Sequence, residues 1–205
     1  MASNNYIYKM SNAGGMSTIT RYTDMLAGNT TWNPWEPAGA YESIASITVP
    51  SGGASSVTFS SIPSTYQHLQ IRMTSFNTSS IVDMKANFNG DTAANYSIHY
   101  LYGTGTAAAA SAIANASYAS IGITGALFNQ GAGVSVVDIL DYANTNKFKT
   151  TRCLSGLDTN STTCFITLES GSWRSTSAIN SITITPQSGT LNQYSDFALY
   201  GIRGN

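Results

Sequence analysis

The sequence predicts an all-β protein: an antiparallel β-sandwich, jelly-roll-like, preceded by an extended N-terminal arm. Three observations predict this. Apolar residues recur at every second position in about ten short runs. Clusters of Gly, Pro, Asn and Asp separate those runs roughly every ten residues. No segment sustains a 3.6-residue period, apart from a candidate helix in the Ala-rich stretch 106–116.

Residues 1–40 read as the arm. Alternation is weak there, and the stretch ends in Trp32-Asn33-Pro34-Trp35-Glu36-Pro37, where closely spaced prolines favour extended or turning backbone and interrupt ladder bonding. A helical turn is expected over 17–26, ended by Gly28-Asn29. The sandwich domain spans 41–205. Its first strand signal, 46–49, stops at Pro50-Ser51-Gly52-Gly53, and 56–59 closes at Ile62-Pro63. Leu69, Ile71 and Met73 share one face of 66–73. Val82, Met84, Ala86 and Phe88 do so in 82–88, which ends at Asn89-Gly90-Asp91, and Tyr96, Ile98, Tyr100 and Tyr102 do so in 96–102. Strands follow at 118–124 and 134–141. Segments 148–154 and 164–168 form a hairpin around Asp158-Thr159-Asn160, and 179–184 and 197–202 complete the set. A repeat of 20–50 residues is absent, which argues against a solenoid or propeller.

Charged residues make up 9% of the chain, against roughly 25% in ordinary soluble domains, and nine Lys+Arg against ten Asp+Glu leave a net charge of −1. Neutral hydroxyl and amide groups must carry solubility, and like copies repel one another weakly. That suits a subunit that associates. It argues against nucleic acid, because dispersed basic residues make no phosphate-binding patch. With 42% hydrophobic and 11% aromatic residues the chain is expected to fold and not stay disordered. Neither a secretory signal nor an apolar run long enough for a membrane-spanning helix is visible, so no membrane insertion is expected and synthesis in a bacterial cytoplasm fits. Cys153 and Cys164 fall on neighbouring strands; two buried thiols are favoured over a disulfide, and two cysteines make no zinc site.

The residues for catalysis are sparse. His68 shares its strand face with Gln70 and Arg72, and His99 has no local carboxylate, so neither has an evident orienting partner for acid–base work. Gly131-Ala132-Gly133-Val134-Ser135 does not match a nucleophile elbow. Asp138 and Asp141 point to opposite faces of a strand, and Asp83 is expected to face solvent. Asn89-Gly90-Asp91 lacks the remaining ligand pattern of a calcium loop. No catalytic residue, metal or cofactor is assigned, and a non-enzymatic role is expected.

The aromatic residues carry more information. Trp32 and Trp35, with Tyr22, Met25 and Leu26 before them, are expected to dock the arm onto a neighbouring subunit, since a short proline-flanked cluster buries itself poorly. Trp173 in a Ser/Gly-rich loop, Tyr118 and Tyr102 are candidate contacts for a host-surface glycan, with core packing the competing reading for Trp173.

Three segments resemble structural proteins of tailed bacteriophages, including those that infect cyanobacteria. The first is Ile19-Thr20-Arg21-Tyr22-Thr23-Asp24-Met25-Leu26-Ala27-Gly28-Asn29-Thr30, placed before Tyr41-Glu42-Ser43-Ile44-Ala45. The second runs from Phe59-Ser60-Ser61-Ile62-Pro63 through Tyr66-Gln67-His68-Leu69-Gln70-Ile71-Arg72 to Phe88-Asn89-Gly90-Asp91 and Asn95-Tyr96-Ser97. The third is Leu199-Tyr200-Gly201-Ile202-Arg203. The resemblance implies a jelly-roll-like virion protein, often a homotrimer, held to other virion proteins by its arm. Tail fibre, baseplate appendage and capsid decoration or cement subunit all stay open, as does binding of host polysaccharide.

Overall fold

The computed structural model describes residues 6–8, 19–21, 41–78, 80–126, 131–159 and 164–204. The chain divides into two units, Met1–Ala40 and Tyr41–Asn205. In the first, β1 (Tyr6–Tyr8) pairs antiparallel with β2 (Ile19–Arg21). The helical turn expected over 17–26 is therefore corrected at 19–21, where Ile-Thr-Arg takes the extended form its β-branched residues favour.

The second unit is all β among its described residues. Its strands are β3 (Tyr41–Thr48), β4 (Val57–Phe59), β5 (His68–Asn77), β6 (Val82–Phe88), β7 (Tyr96–Thr104), β8 (Ala107–Ala116), β9 (Ala119–Ala126), β10 (Gly133–Leu140), β11 (Lys149–Asp158), β12 (Cys164–Trp173), β13 (Ile182–Pro186) and β14 (Asp196–Ile202). Eight of them make a jelly roll. Taken in chain order as β3, β4, β5, β6, β9, β10, β13 and β14, the first pairs with the eighth, the second with the seventh, the third with the sixth and the fourth with the fifth. Pairing of β14 with β5 and of β13 with β6 completes two four-stranded sheets, β3–β14–β5–β10 and β4–β13–β6–β9. A two-rung parallel contact, Phe76↔Gly125 and Asn77↔Ala126, joins them at one corner.

The core lies between these sheets. Leu69, Ile71 and Met73 on β5, Phe197 and Leu199 on β14, and Val137 and Ile139 on β10 face Phe59, Met84, Ala86, Phe88, Ile182 and Ile184 of the smaller sheet. Burial of this alternating set is what selects the register, because a one-residue slip would turn every one of these side chains to water.

Two inserted hairpins enlarge one sheet. β7–β8 lies between the fourth and fifth jelly-roll strands in the sequence, and β11–β12 between the sixth and seventh. Together they continue the first sheet beyond β10 in the order β11–β12–β7–β8. The helix expected over 106–116 is corrected here: residues 107–116 form the edge strand β8. Alanine carries a strong helix preference in isolation. It is overridden because a two-residue turn at Gly105-Thr106, with Gly105 at φ 61, folds the chain back against β7.

The inner face of this extension is covered in part by β9, whose residues are buried as far as Gly125. The β6–β9 register shifts between Asp83 and Lys85, and Gly122 sits at φ 107, where a Cβ would collide with Ser135 and Ser155. The close approach lets the Gly122 N–H donate to Glu169 Oε2 (3.1 Å) and the Ile123 N–H to Ser155 Oγ (3.1 Å).

Candidate functional site

The outward face of the extension is the candidate interaction face. Across five strands the register aligns Val136, Leu154, Leu168, Leu101 and Ala110 in one row. The adjacent row is Val134, Gly156, Ile166, Gly103 and Ala108. Leu154, Ile166 and Leu101 are 56%, 58% and 57% exposed, and none of these ten residues carries a charge. Gly103 and Gly156 flank Ile166 in its row and lower the surface beside the leucines, leaving a shallow groove lined by Leu101, Ala108, Leu154, Ile166 and Leu168.

A polar row bounds this face on one side. The Arg152 guanidinium donates to Asp138 Oδ2 (2.7 Å from Nη2, 3.2 Å from Nε), and Gln70 Nε2 donates to Asp138 Oδ1 (2.8 Å). Burial pushes the Asp138 carboxyl up, but these hydrogen bonds outweigh it and hold the group below its ordinary value. His99 and Ser170 continue the row. Charge at this border is thus internally paired and leaves the leucine rows unopposed.

The residues singled out in the sequence fall in different places. Tyr22, Met25, Leu26, Trp32 and Trp35 lie outside the described residues. Trp173 ends strand β12 instead of sitting in a loop, and it is only 2% exposed. Its ring packs against Phe88 and Tyr96, and its Nε1–H donates to Asp91 Oδ2 (2.7 Å). With both faces of the indole covered and its donor satisfied, it offers no stacking surface to a glycan. Tyr118 is half-buried, with the Lys85 ammonium 4.6 Å from its ring centroid. Tyr102 is exposed at the mouth of a cavity on the inner side of the extension. Thr167, its rung partner on β12, is six residues from Trp173, or about 20 Å along the strand, so Trp173 and Tyr102 do not form one site.

Several readings of the polar residues change. His68 does have a carboxylate neighbour: Asp141 Oδ1 lies 3.9 Å from Nδ1, and Nδ1 accepts the Asp141 N–H at 3.0 Å. That contact, with Lys147 3.5 Å from the same carboxylate and Asp141 at φ 53, fastens the turn after β10. Cys153 and Cys164 are free and not both buried, since Cys164 is exposed. Cys153 stands opposite Glu169 and Cys164 opposite Asp158, five rungs apart and far beyond the span of a disulfide. Asp83 is exposed, as expected, and lines the same cavity as Tyr102. Among the described residues no group of three or more His, Cys, Asp or Glu is placed to hold a metal ion.

Sequence reasoning missed Leu154, Ile166, Leu168 and Leu101. The available signal was apolar residues at consecutive positions, Val136-Val137, Cys153-Leu154 and Tyr100-Leu101-Tyr102, which supply both faces of one strand. No protein-family model matches the chain, and no curated protein or solved structure matches it.

Proposed function

We propose that this chain is a non-enzymatic structural subunit of a tailed-phage particle that associates with copies of itself and is tethered to the particle by residues 1–40. The exposed apolar face of the extension carries the reading. Five strands at about 4.8 Å spacing and two rungs at about 7 Å give roughly 340 Å² in plan. That is the size of the largest apolar patch on a typical monomer, about 300–600 Å², a patch that is often functional. It is somewhat under half of the ~800 Å² each partner contributes to a stable complex.

The adjoining edge strand extends the surface. All of β8 before Ala116 is exposed, and its sequence holds no charge and no proline to block strand addition. A second copy is the partner whose surface fits best, because it presents the same uncharged rows, and a net charge of −1 lets identical chains approach closely. The three phage-like sequence segments support a virion setting and a trimer. Tail fibre, baseplate appendage and capsid decoration are the positions they allow.

Imaging particles that carry a density tag on this chain, with and without residues 1–40, tests the setting. The proposal expects regular copies on the wild-type particle and their loss on deletion. Undiminished incorporation of the deleted chain would contradict the tether, and absence of the full chain from particles would contradict the virion role.

A further inference from the structure

The inner face of the extension carries a second feature that the assembly role does not use. Beyond the edge of β9 the β12–β7 ladder is left uncovered. There Tyr100, Tyr102, Phe165, Thr167 and Glu169, with Asp83 at the start of β6, line a cavity of about 410 Å³. The volume lies within the range of small-molecule sites, roughly 300–1,000 Å³. The rungs Glu169↔Tyr100 and Thr167↔Tyr102 put carboxylate, phenol and hydroxyl groups beside aromatic rings on two adjacent strands.

We infer that this cavity binds an uncharged sugar ring. The Tyr100 and Tyr102 rings, 6.2 Å apart and tilted by 56°, offer aromatic surface to the C–H faces of a pyranose, with Phe165 beside them. Asp83 and Glu169 are acceptors for ring hydroxyls, the tyrosine phenols can donate or accept, and the Thr167 hydroxyl, whose proton goes to Glu169, can accept. Glu169 is fixed in place: Thr167 Oγ1 donates to its Oε1 (2.9 Å), the Gly122 N–H to its Oε2 (3.1 Å), and the Ser120 side chain also hydrogen-bonds to the carboxyl. Asp83 is exposed by area but set in the concavity, and desolvation raises its carboxyl against the pull of Lys85. Burial likewise raises Glu169, against the hydrogen bonds it accepts.

Selectivity follows from charge. No Arg or Lys lines the cavity; the Lys85 ammonium, which acts on Asp83 from outside the lining, is placed over Tyr118. Two carboxyl groups in a partly desolvated concavity repel a third, so uronic acids and other anionic sugars are excluded.

Saturation-transfer NMR on the full chain tests this with the methyl glycosides of glucose, galactose, mannose and N-acetylglucosamine, and with methyl glucuronide as the anionic probe, all at millimolar concentration. At least one neutral glycoside is expected to receive saturation and the glucuronide none. Tyr102→Ala removes an exposed ring without touching the core, and Glu169→Gln keeps the side-chain shape. Each is expected to weaken binding about tenfold. No transfer to any neutral glycoside, equal transfer to the glucuronide, or unchanged binding in both variants would overturn the assignment. Leu154→Glu/Leu168→Glu alters the opposite face of the same strands, so the sugar signal is expected to survive there whether or not copies associate. Loss of binding in that variant, with its fold intact, would overturn the assignment of the ligand to the inner cavity.

Discussion

One row of residues crosses the whole eight-stranded sheet on its outer face: Ser46, Ala198, Arg72, Val136, Leu154, Leu168, Leu101 and Ala110. On the jelly-roll side the row is polar. Arg72 lies over the Tyr41 and Tyr200 rings at 5.6 and 5.2 Å and donates to Gln70, as expected of a face that meets water. From Val136 on β10 onward, across the strands of the inserted hairpins, it is apolar. Strand pairing and exposure continue across this boundary while the chemistry of the outward side chains changes. The jelly-roll strands bury their core between the two sheets. The extension is half-covered on its inner face by β9 and left bare on its outer face.

Mutations that sharpen this contrast span a wide range of effects. Leu199→Ala, on the inner face of β14, empties a fully buried site in the jelly-roll core and is expected to cost about 3 kcal/mol in denaturant unfolding. Lys149 is buried at the start of β11, where its ammonium donates to the carbonyls of Asn144 (2.6 Å), Lys147 (2.8 Å) and Thr176 (3.2 Å). Lys149→Met leaves those acceptors without their donor and is expected to cost about 2 kcal/mol, read in the same experiment. Arg72→Ala loses two ring contacts and is expected to cost about 1 kcal/mol. Leu154→Ala, one strand beyond Val136 in the same row, is expected to change the unfolding free energy of the monomer by less than about 0.5 kcal/mol. A loss at Leu154 as large as that at Leu199 would mean the outer face is covered within the chain.

Two carboxyl groups, Asp91 and Glu169, respond oppositely to acid. Burial pushes Asp91 up, but hydrogen bonds from Asn95, Trp173 and the Ala93 N–H outweigh it, so its folded pKa lies below the ordinary value of 3.8. Its contribution is present above that value and lost as pH falls through the depressed one. Glu169, by contrast, is raised above 4.5, first by burial and also by Asp83. The folded state holds its proton more tightly than the unfolded chain, so that contribution is present below 4.5 and lost as pH rises through the raised value. Thermal midpoints followed against pH should show Asp91→Asn reducing the acid-side loss and Glu169→Gln flattening the decline above 4.5.

Much of the jelly roll was legible in the sequence because its strands bury one face and alternate cleanly. The expected 82–88 coincides with β6, and 197–202 differs from β14 by one residue. The closed pairing of first strand with eighth is not written in any local run. It follows from long-range register. The extension was harder to read for three physical reasons. The alanines of β8 satisfy either period, and only pairing with β7 decides. Gly171 marks a close approach of strands, where a Cβ would lie 2.5 Å from the Ser97 carbonyl oxygen, yet in sequence it signals a loop, so β12 was ended too early. The apolar face itself exists only once Leu154, Leu168 and Leu101 are brought into register from three separate segments.

Whether that face meets another copy is the central question. Light scattering on the full-length chain, compared with Leu154→Glu/Leu168→Glu at the same concentration, measures this directly. A wild-type mass that is a whole multiple of the 21.7 kDa chain, falling to a single chain in the variant without loss of fold, is the predicted result. A wild type that stays monomeric, or a variant that keeps the wild-type mass, would contradict it.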